Sequence, residues 1–398
     1  MSEERTPWRQ AGPVPDIPFN KPSFVGPEQA YIAQAIANRH VSGDGPFTKS
    51  VEKLLERALH VPRALLTTSC TDALELAALV LGVQPGDEVI MPAFTFVSTA
   101  NAFVLRGAKP IFADIRPDTL NIDEKDVERL ITPATKAVIV VHYAGVACDM
   151  DRICAVARER GIAVVEDNAH GLYARYRNRL LGTIGVLGTQ SFHETKNFTC
   201  GEGGALIIND PSMIERAEIH REKGTNRSRF LRGQVDKYTW VDVGSSYVLS
   251  DLLAAFLLAQ LEAREPIQTT RARIWNRYAS ELSAWAQRWG VRLPVVPAEC
   301  EQAYHLFYML LPSLNDRQAL IAHLAARKIA AVFHYMPLNR SEMAERLGAV
   351  ADCPVTEEVA DRLLRLPFYN DMTGGEQTAV IEAICSFEPR TTVAGRRS

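Results

Sequence analysis

Residues 163–167 read Ala-Val-Val-Glu-Asp, a short apolar run rich in β-branched side chains that ends in two acids. Such a run suits a strand buried on both faces. Similar runs lie on either side of it, at Arg63–Thr67, Asp87–Met91, Pro110–Ile115, Ala137–His142, Thr189–His193 and Ala205–Asn209. Between several of them fall helix-like stretches, Asp72–Leu81, Ser98–Arg106 and Met150–Arg160. Strands alternating with helices predict an α/β fold whose large domain is a seven-stranded, mostly parallel sheet covered on both faces. Ligands of such sheets bind outside the carboxyl ends of the strands, so the residues just after each run are where chemistry is sought.

Past residue 250 the pattern changes. A long helical tract, Leu249–Trp289, leads into strand-like Ala303–Leu311 and Ala330–Tyr335, with helical patterns at Asp316–Arg327, Thr356–Leu364 and Glu376–Cys385. The reading is a large domain over 17–260 followed by a smaller C-terminal α+β domain over 261–390. The 398-residue length fits two or three domains. The closing stretch, RTTVAGRRS, is polar and expected to fray.

Composition narrows the function. Forty-four Lys and Arg against 47 Asp and Glu give a net charge of −3, without the basic excess of a nucleic-acid binder. Seven cysteines with no CxxC pair read neither as a disulfide framework nor as a zinc site, and suit a reducing cytoplasm. The proline-rich, charged N-terminus has no apolar core of a signal peptide. The longest apolar run, Leu252–Leu261, is too short for a membrane span. The expectation is a cytoplasmic protein with no membrane partner.

Four strand-end positions could carry chemistry. Asp167 closes an apolar strand, and a buried carboxylate needs a partner. It caps the next helix, pairs with an Arg, or faces a cationic group of a ligand. Lys196, in SFHETKN (191–197), follows another strand and precedes the glycine-rich GEGG (201–204), which permits close approach of backbone to a ligand. Taken alone a loop lysine is a solvated charge, yet a desolvated one can form an imine with an aldehyde. TTSCTD (67–72) opens a helix, where hydroxyls act as caps and free amides suit a phosphate. Phe94 and Phe96 follow the strand at Asp87–Met91, where one could stack on a planar ring and the other pack in the core. No GxxxxGK[ST] phosphate loop exists, Gly182–Gly188 has the wrong spacing for a dinucleotide fingerprint, and the histidines at 142, 170 and 193 lack metal-ligand spacing. No metal is expected.

The joint order is more specific than any single motif. A phosphate loop, a stacking aromatic, an acid and then Ser-x₄-Lys, each at a strand end, are the parts that pyridoxal 5'-phosphate requires. At this point the chain resembles the DegT/DnrJ/StrS family of sugar aminotransferases, of fold type I architecture. The resemblance runs from Ile17 to about Phe387 and is strongest in QPGDEVIMPAFTFVSTANAFVLRGAKP (84–110), VHYAGVACDMD (141–151), SFHETKN, REKGTNRSRFLRGQVDKYTWVDVGSSY (221–247) and VFHYMPLN (332–339).

The resemblance implies that Lys196 is the lysine bonded to the cofactor aldehyde and Asp167 the partner of the pyridine nitrogen. Phe96 falls at the ring-stacking aromatic, Thr71 and Asp72 at phosphate-binding amides, Ser191 at a phosphate-binding hydroxyl and His170 beside the ring. Ser246 stands where members carry an Asn that reaches the neighbouring subunit's phosphate, so the expected assembly is a homodimer with shared active sites. The implied reaction aminates a nucleotide-linked 4-keto-6-deoxy sugar, foremost dTDP-4-dehydro-6-deoxyglucose to dTDP-4-amino-4,6-dideoxygalactose, with L-glutamate as donor, in surface-polysaccharide synthesis. Amine position and galacto or gluco product stay open at the level of residue types. Family members that remove a hydroxyl carry His at the lysine position, and Lys196 favours amination over that chemistry. A scaffold without catalysis would have no reason to retain every cofactor-facing element.

Overall fold

The computed structural model describes residues 16–390. The reading of the N-terminus falls largely, and that of the frayed tail almost wholly, outside these residues. Seven strands form the central sheet: β1 (Arg63–Thr67), β2 (Glu88–Pro92), β3 (Lys109–Ala113), β4 (Thr135–Val141), β5 (Ala163–Asp167), β6 (Leu187–Ser191) and β7 (Gly204–Ile208). Their order is β1-β7-β6-β5-β4-β2-β3. β7 runs antiparallel to both neighbours, β1 and β6, and the remaining pairs are parallel.

Alternating side chains serve two cores, as a pleated strand covered on both faces requires. Leu65, Val165, Leu206 and Ile208 pack on one face with the helices Cys70–Val80 and Val97–Val104. Leu66, Ala205 and Ile207 point the other way, towards the helices Pro46–Leu59 and Asp251–Glu262. Val138 and Val164 join that opposite face beside the helix Met150–Glu159.

β1 and β5 have the expected bounds, and the other strands shift by one or two residues. The largest shift has a cause. β6 ends at Ser191 rather than His193, because the Phe192 N–H turns to the Gly203 carbonyl at 2.8 Å and its own carbonyl accepts the Cys200 N–H at 3.0 Å. That closes the loop carrying Lys196. The tract Leu249–Trp289 breaks at Ala263 into Asp251–Glu262 and Arg264–Trp289. The first half lies on the sheet. The second buries Ile274, Tyr278, Leu282 and Trp285 in a separate C-terminal core that also holds Ile17, Phe307 and Leu364.

In that region only Tyr308–Leu310 of the run Ala303–Leu311 is a strand. It pairs with Leu363–Arg365, which the sequence pattern assigns in part to the end of a helix. The run Ala330–Tyr335 forms no ladder, since only Val332 bridges Arg365 before His334 and Tyr335 turn into a ring cluster. Among the described residues no helix is long and apolar enough to cross a membrane.

Candidate active site

Adjacent residues of a strand point to opposite faces, so the two acids closing β5 meet different surroundings. Glu166 is fully buried and accepts four hydrogen bonds, from the N–H groups of Gly182 (2.8 Å), Ile184 (2.6 Å) and Gly185 (2.7 Å) and from His142 Nε2 (2.9 Å). Asp167 is also buried but accepts only two, from the Thr99 hydroxyl (2.8 Å) and the Ala169 N–H (3.2 Å). Burial pushes its carboxyl above the usual range, opposed by those two donors and by the charge of Lys196. A carboxylate has about four lone-pair sites. Asp167 therefore keeps open capacity for a cationic donor.

Lys196 lies half-buried in the loop after β6, its backbone N–H bonded to the His193 carbonyl at 2.9 Å. Burial brings its ammonium down to about 8; the nearby Arg365 charge acts in the same direction, while Cys70 and Asp167 oppose it. Near neutral pH an appreciable fraction is free amine, able to attack an aldehyde. The next residue is held firmly. Asn197 Nδ2 donates to the Ala303 carbonyl at 2.7 Å, and Asn197 Oδ1 lies 2.9 Å from His305 Nδ1.

At the other end of the site, Ser69 caps the helix Cys70–Val80 by accepting the Asp72 N–H at 3.0 Å. The Asp72 carboxylate in turn accepts the Thr68 hydroxyl. The amides left without an acceptor among the described residues are those of Cys70 and Thr71, one position earlier than the pair named from the resemblance. The Thr71 hydroxyl lies 2.7 Å from that of Ser98. Ser191 pairs with Gly204, and its hydroxyl accepts the His193 N–H at 3.5 Å. The GEGG stretch lets backbone approach closely, but to the chain itself. A Cβ on Gly204 would stand 2.3 Å from the Ser69 carbonyl oxygen and 2.5 Å from the Cys70 nitrogen.

The two phenylalanines divide cleanly. Phe94 is buried among Tyr143 and Tyr335, at centroid distances of 5.2 and 5.3 Å. Phe96, two residues on, precedes the helix Val97–Val104 and is 56% exposed, with the Tyr335 ring tilted beside it at a centroid distance of 6.4 Å, and much of its ring remains open to a ligand. His170 is buried and stacked on His305 at 4.2 Å, with His334 6.2 Å away. Burial holds His170 well below the ordinary histidine range, so it is neutral, and its Nδ1 accepts the Ala144 N–H at 3.3 Å. Its proton therefore sits on Nε2. Ser246 is exposed and bridges Glu222.

Thr99, His305 and Arg365 escape a reading by sequence. Thr99 lies 68 residues before Asp167 and reads as one more hydroxyl in a helix start. His305 and Arg365 come from the C-terminal region, whose strands are too short to announce themselves. The residues present fit a protonated heterocycle with an aldehyde and an anionic tail: an open carboxylate, an uncovered aromatic face, a weakly basic amine and open amides at a helix start. No group of His, Cys, Asp and Glu among the described residues could hold a metal ion.

Comparison with known proteins agrees. The model of the DegT/DnrJ/EryC1/StrS aminotransferase family matches residues 24–385. The spore coat polysaccharide biosynthesis protein SpsC of Bacillus subtilis is 33% identical over 377 residues, covering 92% of this chain and 96% of its own. The crystal structure of the aminotransferase TlmJ from Streptoalloteichus hindustanus is similar with a TM-score of 0.86 at 30% identity, over 93% of this chain and 98% of that one. The putative sugar aminotransferase Spr1654 from Streptococcus pneumoniae, in its PMP form, also gives 0.86, at 28% identity and the same coverage. The chain belongs to the DegT/DnrJ/EryC1/StrS family and is a pyridoxal-phosphate-dependent aminotransferase of fold type I.

Proposed function

We propose that the protein transfers the amino group of L-glutamate to the keto carbon of a nucleotide-linked 4-keto-6-deoxy sugar, foremost dTDP-4-dehydro-6-deoxyglucose, giving the 4-amino sugar dTDP-4-amino-4,6-dideoxygalactose. The observation that carries this reading is the buried, under-paired Asp167 lying within the electrostatic reach of a Lys196 amine brought down to about 8. The name of the relative SpsC supports a role in polysaccharide synthesis.

When bound, pyridoxal phosphate supplies an electron sink for the carbanion formed at the donor carbon. Asp167 as a charged carboxylate would keep the ring nitrogen protonated. Lys196 would hold the aldehyde carbon, and as a free amine it would serve as general base at the donor's α carbon, proton transfer by a positioned group being worth ~10²–10⁴-fold. Phe96 would cover one ring face, and the neutral His170 would stand beside the ring. The open Cys70 and Thr71 amides, with the Ser191 hydroxyl, would hold the phosphate, the Asp72 amide being already taken by the Ser69 cap. The Lys196 amine, protonated, would serve as general acid at the sugar carbon.

The active unit in this proposal is a homodimer. Phe230, Tyr238 and Trp240 are all exposed, Trp240 by 76%, in the segment that runs into Ser246. Aromatic side chains left uncovered in one chain suit burial against a second copy. Incubation with glutamate and a panel of nucleotide keto sugars, with product NMR, tests the substrate. The amine is expected at C4 in the galacto configuration, and a 3-amino or gluco product would reassign the sugar. Lys196→Ala is expected to abolish both half reactions while leaving the melting transition in place. Full turnover by that variant without added amine would overturn the assignment.

A further inference from the structure

The Lys196 ammonium forms no hydrogen bond or ion pair among the described residues, and only the charges around it act on it. Its place is set one residue on. The Asn197 side chain is buried, and the C-terminal region engages all of its polar groups. Nδ2 donates to the Ala303 carbonyl (2.7 Å) and to Gln268 Oε1 (3.2 Å), and Oδ1 lies 2.9 Å from His305 Nδ1. Both donor bonds leave through Nδ2, so Oδ1 is an acceptor and His305 Nδ1 carries the proton. Burial holds His305 well below the ordinary histidine range, so that proton is the only one on its ring.

His305 is itself fixed from several sides. Its ring stacks on His170 at 4.2 Å with 22° between the planes. Its carbonyl accepts Arg271 Nη2 at 2.5 Å, and the Tyr304 carbonyl just before it accepts Arg271 Nε at 3.0 Å. Tyr304 has a φ of +51°, in the left-handed region that a tyrosine rarely adopts. On its other side the Ala303 N–H is tied to the Gly145 carbonyl at 3.1 Å. Bonds on both sides of Tyr304 thus keep the backbone in a conformation it would otherwise leave. That conformation aims the His305 N–H at Asn197.

We infer that His305 is a positioning residue for Lys196: its Nδ1–H holds the Asn197 amide, and that amide keeps the lysine loop seated against the C-terminal region with the amine in a desolvated place. A reacting group displaced by about 1 Å can cost ~10²-fold in rate. An amine that regains water returns towards the ordinary lysine value of about 10.4. The charged and titratable groups around the amine are Cys70, Asp167, Arg365 and the histidines 170, 305 and 334. His305 is neutral, so replacing it removes no charge, and a change in the titration of Lys196 reports its seat. The inference rests on the reading that Lys196 is the amine that takes the cofactor.

Two substitutions separate the contacts of the ring. His305→Phe keeps the stack on His170 and loses the donor, whereas His305→Asn loses the stack and keeps a donor near the Nδ1 position. The first readout is capture of pyridoxal phosphate by the cofactor-free protein, followed by absorbance across pH. The wild-type rate should level at about 8. In His305→Phe the levelling point should rise by about one unit or more, leaving ~10-fold less free amine at neutral pH. The second readout is the single turnover of the loaded enzyme with glutamate. Its maximal rate should fall ~10–100-fold at an unchanged half-saturating concentration. His305→Asn should recover most of both. In an Asn197→Leu background His305→Phe should add nothing, because it acts through that amide. A melting transition shows that each variant folds; should His305→Phe not melt cooperatively, His305→Gln, with its amide at the Nε2 position, takes its place. A levelling point that stays at about 8 in the donor-less variant, a His305→Phe better than His305→Asn, or a further loss in the double variant overturns the positioning role alone. Capture that survives in Lys196→Ala overturns the reading of Lys196 and the positioning role with it.

Discussion

Glu166 and Asp167 are consecutive carboxylates at the end of one strand, both buried, and they are finished in opposite ways. Glu166 accepts three backbone amides from the 182–185 turn and a fourth bond from His142. Nothing remains for a ligand, and its work is to fix the turn that leads into β6. Asp167 accepts a hydroxyl and one amide and is left destabilised as an anion. The difference is that between a charge the fold consumes and a charge the fold holds in reserve. Strand pleating alone sends the two side chains to their separate faces, so a single dipeptide serves the fold and, in the proposed reaction, the chemistry.

The first way to break the contrast is at Glu166. Glu166→Ala would leave three amides and His142 facing a void, and removing one side of such a buried network costs about 3–5 kcal/mol. Chemical unfolding of the protein without cofactor should show that loss, with activity lost only as far as the fold is. The second is at Asp167. Asp167→Asn keeps the shape and removes the charge, so turnover should fall ~10²–10³-fold while stability is preserved. The sign with pH can be worked out. The folded carboxyl is raised above its unfolded value, so the folded state binds more protons and wild-type stability falls as pH rises through the carboxylate range. Without cofactor, Asp167→Asn should therefore melt at or above the wild-type temperature at neutral pH and lose that advantage in acid. A variant that melts well below the wild type at neutral pH would put Asp167 in the same class as Glu166.

A third prediction concerns the amine that faces Asp167. Lys196 is brought down to about 8, so the rate at which pyridoxal phosphate is captured by the cofactor-free protein should climb with pH up to about 8 and then level. An ordinary lysine would keep gaining free amine up to about 10.4. Stopped-flow absorbance of imine formation across this range distinguishes the two.

These residues also mark how far the sequence could be read. Asp167 is legible because it closes an apolar run and Lys196 because it sits in the loop after a strand, and strand ends are where ligands bind in parallel sheets. The role of Glu166 is not legible from its neighbours, since its backbone partners lie 16 to 19 residues on, in a turn whose glycines show no recognisable pattern, and His142 lies 24 residues before it. Phe94 and Phe96 are separated only by the packing of the C-terminal region, where Tyr335 claims the first and leaves the second largely open. Arg365 is hidden for a further reason. The helical periodicity of 356–364 runs on into a strand of three residues, too short to register as a change of period.

Thr99 supports the reserve from underneath, and its removal should give the smallest and most diagnostic effect. Its hydroxyl donates to Asp167 at 2.8 Å and lies 2.8 Å from that of Thr95. Thr99→Val keeps the volume and removes one of the two donors, a loss of about 1 kcal/mol and hence roughly a five-fold drop in turnover at neutral pH. The hydroxyl favours the ionised carboxylate, so without it the Asp167 carboxyl rises further. The acid limb of kcat/KM should then move to higher pH, because the charged form needed to hold a proton on the ring nitrogen is lost earlier on acidification. If Thr99 only packed the helix Val97–Val104 against β5, the melting temperature would drop and that limb would stay where it is. The limb, rather than the rate, therefore tells whether the second acid of the pair is tuned by its surroundings or merely enclosed by them.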